Sequence, residues 1–203
     1  MSTQRAPIIH ASLLAALLLG GCATHPAPEG PPPPAATAAP QAEVLPGFAN
    51  PVPDIHAGGR ITADDLPALR EAGIVHVIDL TPDAETPAFD EAAAVRSAGM
   101  AYDNLPIAGA GDLGRESVAA FDQLLGKLQG PALVHCASGN RVGALAALRA
   151  AWLQGADDEA AIAEGRRWGL RSLEGEVRAR LVRERCLADA NEPSAKTACE
   201  AGS

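Results

Sequence analysis

A strand pattern that leads through a short loop into a long apolar helix constrains this chain most. The strand pattern covers residues 131–136 (PALVHC), and the helix pattern covers residues 142–153. Other strand and helix patterns occur at residues 50–59, 62–72, 74–80, 87–98, 100–106, 115–128, 157–167 and 172–186. Because strands alternate with helices up to residue 153, the sequence predicts an α/β fold with right-handed crossovers and a mostly parallel sheet.

The loop between the last strand and its helix contains a candidate nucleophile, Cys136. Ligands of parallel sheets bind at the carboxyl ends of the strands, which is where Cys136 falls. Backbone amides at the start of a helix can hold a tetrahedral anion, and the guanidinium of Arg141 can add two parallel hydrogen bonds. The same field favours a thiolate on Cys136; the alternative is a buried, inert cysteine. The candidate anion-binding residues are Ala137, Ser138, Gly139, Asn140 and Arg141.

This loop resembles the signature of the cysteine-based phosphatase superfamily, which is His-Cys, a few residues and then Arg. The closer similarity is to the bacterial dual-specificity-like group named after the phosphatase-like domain of beta-lactamase hydrolase-like proteins. It spans about residues 50–185 and is carried by GGRITADDLPALREAGIVHVIDL, the acidic turn and helix that follow, and PALVHCASGNRVGALAALRA. The resemblance implies a phosphatase-like three-layer domain, with a short mostly parallel sheet covered by helices on both faces.

The resemblance also implies a mechanism. Cys136 would attack phosphorus to form a phosphocysteine, while Arg141 and the loop amides stabilise the transferring group. His135 would orient the loop and favour the thiolate. An acid for the leaving group is expected on the loop after the second buried strand, where Asp112 is the only carboxylate in residues 107–114. An aspartate before a helix is also a common N-cap, so both interpretations stand, and the further candidate acids are Asp83 and Glu116.

Two departures from the phosphatase pattern leave other functions open. Four residues separate Cys136 from Arg141, whereas most tyrosine and dual-specificity phosphatases have five, and Val142 occupies a position where those enzymes usually have Ser or Thr. The shorter loop also occurs in single-domain rhodaneses, in which the cysteine carries a persulfide. The alternatives to a cysteine-dependent phosphohydrolase are therefore a rhodanese-like sulfurtransferase and a non-catalytic module that binds an anion or a protein.

The amino-terminal residues have the pattern of a bacterial lipoprotein. Residues 1–21 are predicted to be a signal peptide, and Leu19-Gly20-Gly21-Cys22 resembles the lipobox at which the cysteine is acylated. Residues 22–47 would form a Pro/Ala-rich tether. These features predict a lipid-anchored domain on the periplasmic side of the envelope, and Ala23 favours the outer membrane. An ordinary cleaved signal with an incidental cysteine is the alternative.

The remaining boundaries are a phosphatase-like domain at residues 48–187 and a carboxyl-terminal tail at residues 188–203. In an oxidising compartment, Cys186 and Cys199 are predicted to form a disulfide; two unpaired thiols are the alternative.

The expected partner is a phosphorylated substrate of undetermined class, with the membrane contacted only through the lipid anchor. A formal net charge of -9 argues against nucleic-acid binding. No cofactor is predicted. No metal is predicted either, since His56 and His76 have no partner at metal-ligand spacing. The oligomeric state stays open.

Overall fold

The computed structural model describes residues 45–190 and 192–201. Its centre is a five-stranded sheet with the strand order β1-β2-β5-β3-β4, in which β1 is antiparallel to β2 and the other neighbours are parallel. The strands are β1 (Ala49–Val52), β2 (Ile55–Gly58), β3 (His76–Asp79), β4 (Ala101–Asn104) and β5 (Ala132–His135). The helices are α1 (Leu66–Glu71), α2 (Glu91–Ser97), α3 (Arg115–Gly126), α4 (Asn140–Gln154), α5 (Asp158–Arg167), α6 (Glu174–Asp189) and α7 (Pro193–Ala201).

Two hydrophobic cores lie on opposite faces of this sheet. The smaller core packs Val77 and Leu133 against helices α1 and α2. The larger core packs Val134 and Cys136 against α3, α4, α5 and α6. Successive side chains of a strand point to opposite faces, so the neighbours Leu133 and Val134 serve different cores. The predicted α/β fold, with a mostly parallel sheet between two layers of helices, is confirmed.

Helix α4 is the buried centre of the larger core. Every residue from 141 to 148 is buried, as expected for a helix with apolar residues on all sides. Gly143 allows this close packing, because a Cβ atom there would lie 2.0 Å from the Leu170 backbone nitrogen. The amino terminus of α4, which follows the cysteine loop, is therefore fixed against the chain that follows α5.

Several predicted boundaries differ from the observed ones. Helix α2 begins at Glu91 rather than near residue 87, because the Asp90 carboxylate accepts a hydrogen bond from the Ala93 amide (2.9 Å) and caps the helix. Leu45, within the predicted tether, is buried in the smaller core. Helix α7 lies within the stretch predicted as a tail, and a disulfide with a Cα–Cα distance of 5.7 Å joins Cys186 of α6 to Cys199 of α7.

The predicted signal peptide, Cys22 and residues 22–44 of the tether lie outside the described residues. Among the helices that the structure describes, none is both long and apolar enough to cross a membrane.

Candidate active site

The cysteine loop lies where β5 ends and α4 begins. Cys136 follows β5 directly, and its amide donates to the Gly58 carbonyl at the end of β2 (3.3 Å). The Arg60 amide donates to the Ala137 carbonyl (3.4 Å), so the chain after β2 holds the loop from one side. Gly139 has a φ of +80°, which favours glycine, and a Cβ atom there would lie 3.3 Å from the Gly58 carbonyl group. The loop is thus fixed by backbone contacts to a neighbouring strand.

Several amides of this loop remain available to a ligand. Within the described residues, the amides of Ala137, Ser138, Asn140 and Arg141 donate to no protein acceptor. They stand at the amino terminus of a 15-residue helix, whose dipole adds positive potential. Unpaired amides at a helix start are the arrangement that binds phosphate and similar anions.

Arg141 is held by a carboxylate that the sequence analysis missed, Glu85. Nη1 donates to Glu85 Oε1 (2.7 Å) and Nη2 to Glu85 Oε2 (2.8 Å), and Nη1 also donates to the Ile107 carbonyl. These three bonds use three of the five guanidinium N–H groups. The second Nη2–H and the Nε–H share one edge and donate to no oxygen acceptor among the described residues, and a side-chain hydrogen bond to Cys136 contributes to the raised pKa of Arg141.

Electrostatic interactions strengthen this pair. The hydrogen bond to Glu85 raises the pKa of Arg141, and the charge interaction with the Cys136 sulfur raises it further. The hydrogen bond from Arg141 in turn lowers the pKa of the Glu85 carboxyl. Arg60 contributes a contact from the other side, because its Nη1 donates to the Glu85 carbonyl oxygen (3.1 Å). The Arg141 guanidinium therefore keeps one orientation beside the sulfur.

The Cys136 side chain is completely buried. Cys136 is 0% exposed and Arg141 is 8% exposed, so both residues are shielded from solvent. A substrate must displace what covers the sulfur before it reaches it.

The Asn140 side chain mainly has a structural role in the loop. Its Nδ2 donates to Ser172 Oγ (2.8 Å), and its Oδ1 accepts from the amides of Arg171 (2.8 Å) and Leu173 (3.3 Å). This side chain fastens the start of α4 to the segment before α6. The Asn140 backbone amide donates to no backbone acceptor among the described residues and remains for an anion.

Asp112 lies on the loop that touches Arg141 through Ile107, but its carboxylate is bonded elsewhere. Oδ2 accepts hydrogen bonds from the amides of Ala108 (2.7 Å) and Gly109 (3.3 Å). The Arg180 guanidinium donates to the Ala110 carbonyl (2.6 Å) and fastens the loop to α6. The other candidate acids, Asp83 and Glu116, are exposed.

His135 points to the α2 side of the sheet, away from the larger core that contains Cys136. Its Nε2 lies 2.7 Å from Glu91 Oε1 and 3.7 Å from Asp79 Oδ1, and all three side chains are buried. The Tyr102 hydroxyl donates to Asp79 Oδ2 (3.0 Å). Burial raises the pKa of Tyr102, and the neighbouring carboxylate of Asp79 raises it further, so this hydroxyl stays protonated.

Sequence reasoning missed Glu85, Asp79 and Glu91 for different reasons. Asp79 and His135 are paired in register on neighbouring parallel strands. Alignment of the carboxyl ends of the predicted strands would have placed these two residues side by side. Glu85 follows β3 at the same sheet edge as Cys136, but Asp83 lies in the same turn and the sequence does not distinguish the two. Nothing in the local sequence marks Glu91, which is 44 residues from His135.

Comparison with known proteins gives the family. The family described as Beta-lactamase hydrolase-like protein, phosphatase-like domain, matches residues 48–153. Beta-lactamase hydrolase-like proteins of Xylella fastidiosa strain Temecula1 and Agrobacterium fabrum strain C58 are 34% and 32% identical over 94 and 81 residues, which are 44% and 38% of this chain. The matches cover only 22% and 19% of those relatives, so the chain spans about a fifth of their length.

Three solved structures share the fold. A proposed phosphatase from Neisseria meningitidis Z2491 has a TM-score of 0.56 at 21% identity, over 64% of this chain and 96% of that one. A proposed phosphatase from Shewanella putrefaciens CN-32 has a TM-score of 0.50 at 26% identity, over 66% and 93%. TpbA from P. aeruginosa has a TM-score of 0.51 at 21% identity, over 81% and 98%. This chain belongs to the family of the beta-lactamase hydrolase-like protein phosphatase-like domain, and is thus a phosphatase-like hydrolase.

Proposed function

We propose that this protein hydrolyses phosphoric monoesters through a phosphocysteine on Cys136. The observation that carries the proposal is the Arg141 guanidinium, which Glu85 holds through two hydrogen bonds and which interacts with the Cys136 sulfur. Together with the unpaired loop amides, this guanidinium forms a cradle for the three oxygens of a phosphoryl group. The cradle stabilises the charge that spreads over these oxygens in the transition state.

The reaction proceeds in two displacements. The Cys136 thiolate attacks phosphorus, an S–P bond forms, and the P–O bond to the leaving group breaks while an acid protonates the departing oxygen. Water then attacks phosphorus, the S–P bond breaks, and inorganic phosphate leaves with the thiolate restored. The same acid, now a carboxylate, accepts the proton of that water.

Asp112 is the proposed acid, and the role requires a movement. Its carboxylate now accepts two amide hydrogen bonds within its own loop, so it must leave Ala108 and Gly109 to reach a leaving group. Gly109, Gly111 and Gly114 surround it, which makes such a change sterically inexpensive. The same movement shifts the loop at Ile107, which now contacts Arg141 and helps close the site over the sulfur.

The test is hydrolysis of an aryl phosphate by the full chain. Wild type is expected to turn over and to release phosphate, and acid quenching is expected to trap a phosphorylated protein; Cys136→Ser is expected to lose both. The matched control is the double variant Cys186→Ser with Cys199→Ser, which removes two sulfurs from α6 and α7 but leaves the loop intact. Turnover that survives in Cys136→Ser refutes the phosphocysteine.

A rhodanese-like sulfurtransferase is the second candidate, and the four-residue spacing between Cys136 and Arg141 favours it. A persulfide on Cys136 needs the same anion cradle but no acid, and Asp112 is occupied by its own loop. The same proteins are therefore assayed for sulfur transfer from thiosulfate to cyanide. Transfer without phosphate release would select this function, and neither activity would leave an anion-binding or protein-binding module.

We also propose that Cys22 is acylated and anchors the domain on the periplasmic side of the envelope. The Leu19-Gly20-Gly21-Cys22 pattern and the disulfide between Cys186 and Cys199, which suits an oxidising compartment, support this location. Metabolic labelling with a fatty acid and membrane fractionation test it, with Cys22→Ala as the comparison. Membrane attachment and label that persist in Cys22→Ala contradict the anchor.

A further inference from the structure

We propose that Asp79, Glu91 and His135 bind one divalent transition-metal ion, on the α2 side of the sheet and away from the core that contains the Cys136 side chain. The three residues come from β3, from the first turn of α2 and from β5, and all are buried. The proposal goes beyond the proposed hydrolysis and does not depend on it. It rests on the geometry of three ligand atoms, on the balance of buried charge and on a cavity beside the site.

The ligand atoms already lie near the spacing that a metal requires. One atom from each side chain can be chosen so that all three lie within 4.8 Å of one another. His135 Nε2 is 2.7 Å from Glu91 Oε1 and 3.7 Å from Asp79 Oδ1. Metal–ligand bonds of about 2.0–2.2 Å in tetrahedral geometry place ligand atoms about 3.4 Å apart. The two observed separations bracket that value.

The charge of the cluster also favours a cation. Two carboxyl side chains share the site with one imidazole. Among the residues that the structure describes, no Lys or Arg nitrogen lies within 4.0 Å of either carboxylate; the ion-pair contact of each is His135. Buried charges are normally paired or coordinate a metal. A divalent ion would neutralise the two carboxylates and leave the histidine neutral as a ligand.

Surrounding groups hold the Asp79 carboxylate in position. Tyr102 donates to Oδ2 from 3.0 Å and the Thr81 amide donates to Oδ1 from 2.7 Å. Asn104 Nδ2 donates to the Asp79 carbonyl (3.1 Å) and lies 3.4 Å from Oδ2. Hydrogen bonds of this kind orient metal ligands and tune their affinity. The buried Thr81 hydroxyl, two residues after Asp79, has no hydrogen-bond partner among the described residues.

A cavity of about 440 Å³ reaches the cluster and gives it an open side. Asp79, Glu91, Tyr102 and Asn104 line it together with Asp83 and Asp90, and the described part of the chain contributes no Lys, Arg or His to its wall. An acidic cavity of this kind concentrates cations. Three protein ligands with one open side are typical of metal sites that keep a position for water or substrate. One nitrogen and two oxygen ligands are a donor set that Zn²⁺, Mn²⁺ or Fe²⁺ accepts.

The experiment is a Co²⁺ titration of the full chain after chelator treatment, followed by optical absorption, with Zn²⁺ as competitor. One Co²⁺ per chain is expected, displaced by one Zn²⁺, with no sulfur-to-cobalt charge-transfer band. Cys136→Ser should bind with unchanged affinity, since the ligands are oxygen and nitrogen. Loss of binding in Cys136→Ser, or no binding by wild type at millimolar Co²⁺, would overturn the proposal.

Variants of the cluster sharpen the test. Glu91→Gln is expected to weaken Co²⁺ binding more than roughly 100-fold, and Tyr102→Phe roughly 10-fold through loss of the bond that orients Asp79. Asp90→Asn is the matched control, because Asp90 lines the same cavity and an asparagine still caps α2. Should Glu91→Gln fail to fold, Tyr102→Phe decides. Equal affinities of wild type and Tyr102→Phe, or equal weakening in Asp90→Asn, would refute the site.

Discussion

Replacement of Glu85 by glutamine tests the central contact of the active site. The substitution keeps the shape of the side chain but removes its charge, and an amide NH₂ then faces a guanidinium that can only donate. One of the two hydrogen bonds to Arg141 is lost and the other becomes weaker. Arg141 retains its bond to the Ile107 carbonyl as its remaining firm contact among the described residues.

The magnitude follows from the number and exposure of these bonds. Hydrogen bonds to charged groups contribute about 1.5–3 kcal/mol each when buried. The Glu85 side chain is 32% exposed, so solvent screening reduces the loss to about 1–2 kcal/mol in the free energy of unfolding. The effect on kcat/KM is larger than the loss of stability alone predicts. Rotation of the Arg141 guanidinium would move its Nε–H and its second Nη2–H away from the phosphoryl oxygens. A decrease of roughly 10- to 100-fold is expected.

The assay measures kcat/KM for an aryl phosphate together with urea unfolding of the same preparations. Glu184→Gln is the matched control, because Glu184 accepts from the Arg115 Nε (3.0 Å) in an exposed pair far along the chain. That control should lose under about 1 kcal/mol of stability and retain its kcat/KM. If Glu85→Gln retains kcat/KM within twofold of wild type, Glu85 does not orient Arg141 for the reaction.

Three further predictions concern the same loop and its neighbours. Arg141 lowers the pKa of Glu85 in the folded protein, so this pair stabilises the fold above the usual pKa of 4.5. The stabilisation is lost as the pH falls through the lowered pKa of the folded state. The difference in urea stability between wild type and Glu85→Gln should therefore shrink between pH 6 and roughly pH 3. Gly139→Ala should lower the free energy of unfolding by about 1–3 kcal/mol, as followed by urea denaturation, because its φ of +80° and a 3.3 Å approach to Gly58 both disfavour a Cβ atom. Asp112→Asn, which can still accept the two amide hydrogen bonds, should lower turnover most for substrates with poor leaving groups, and a uniform loss across a leaving-group series would remove the acid role.

The sequence allowed prediction of the elements that depend on local pattern. The strand before Cys136 and the helix after it were recognisable from an apolar run, a glycine and a long stretch of alanine and leucine. The helix pattern that begins at residue 62 was recognisable too, and both the Thr62 amide and the Thr62 hydroxyl donate to Asp65 Oδ2 (2.7 and 2.8 Å). These features act over a few residues, so a single sequence carries them.

Contacts between distant segments could not be predicted in the same way. The bond from Arg141 to Glu85 joins residues 56 positions apart, and no periodicity indicates which of several acidic residues in the turn after β3 faces the arginine. The turn contains Asp83 and Glu85, and the exposed Asp83 was the one selected as a candidate. Helix α7 escaped prediction for another reason: it contacts mainly α6, so its sequence shows little of the apolar face that a helix against a sheet requires.

The burial of Cys136 has a consequence for how long the protein survives in an oxidising medium. Cys136 is 0% exposed, and the two other cysteines that the structure describes are already bonded to each other. The exposure of the sulfur that substrate entry requires would also admit peroxide. Oxidation of Cys136 and substrate turnover would then require the same exposure of the sulfur. The protein without substrate would be inactivated more slowly than the protein in turnover.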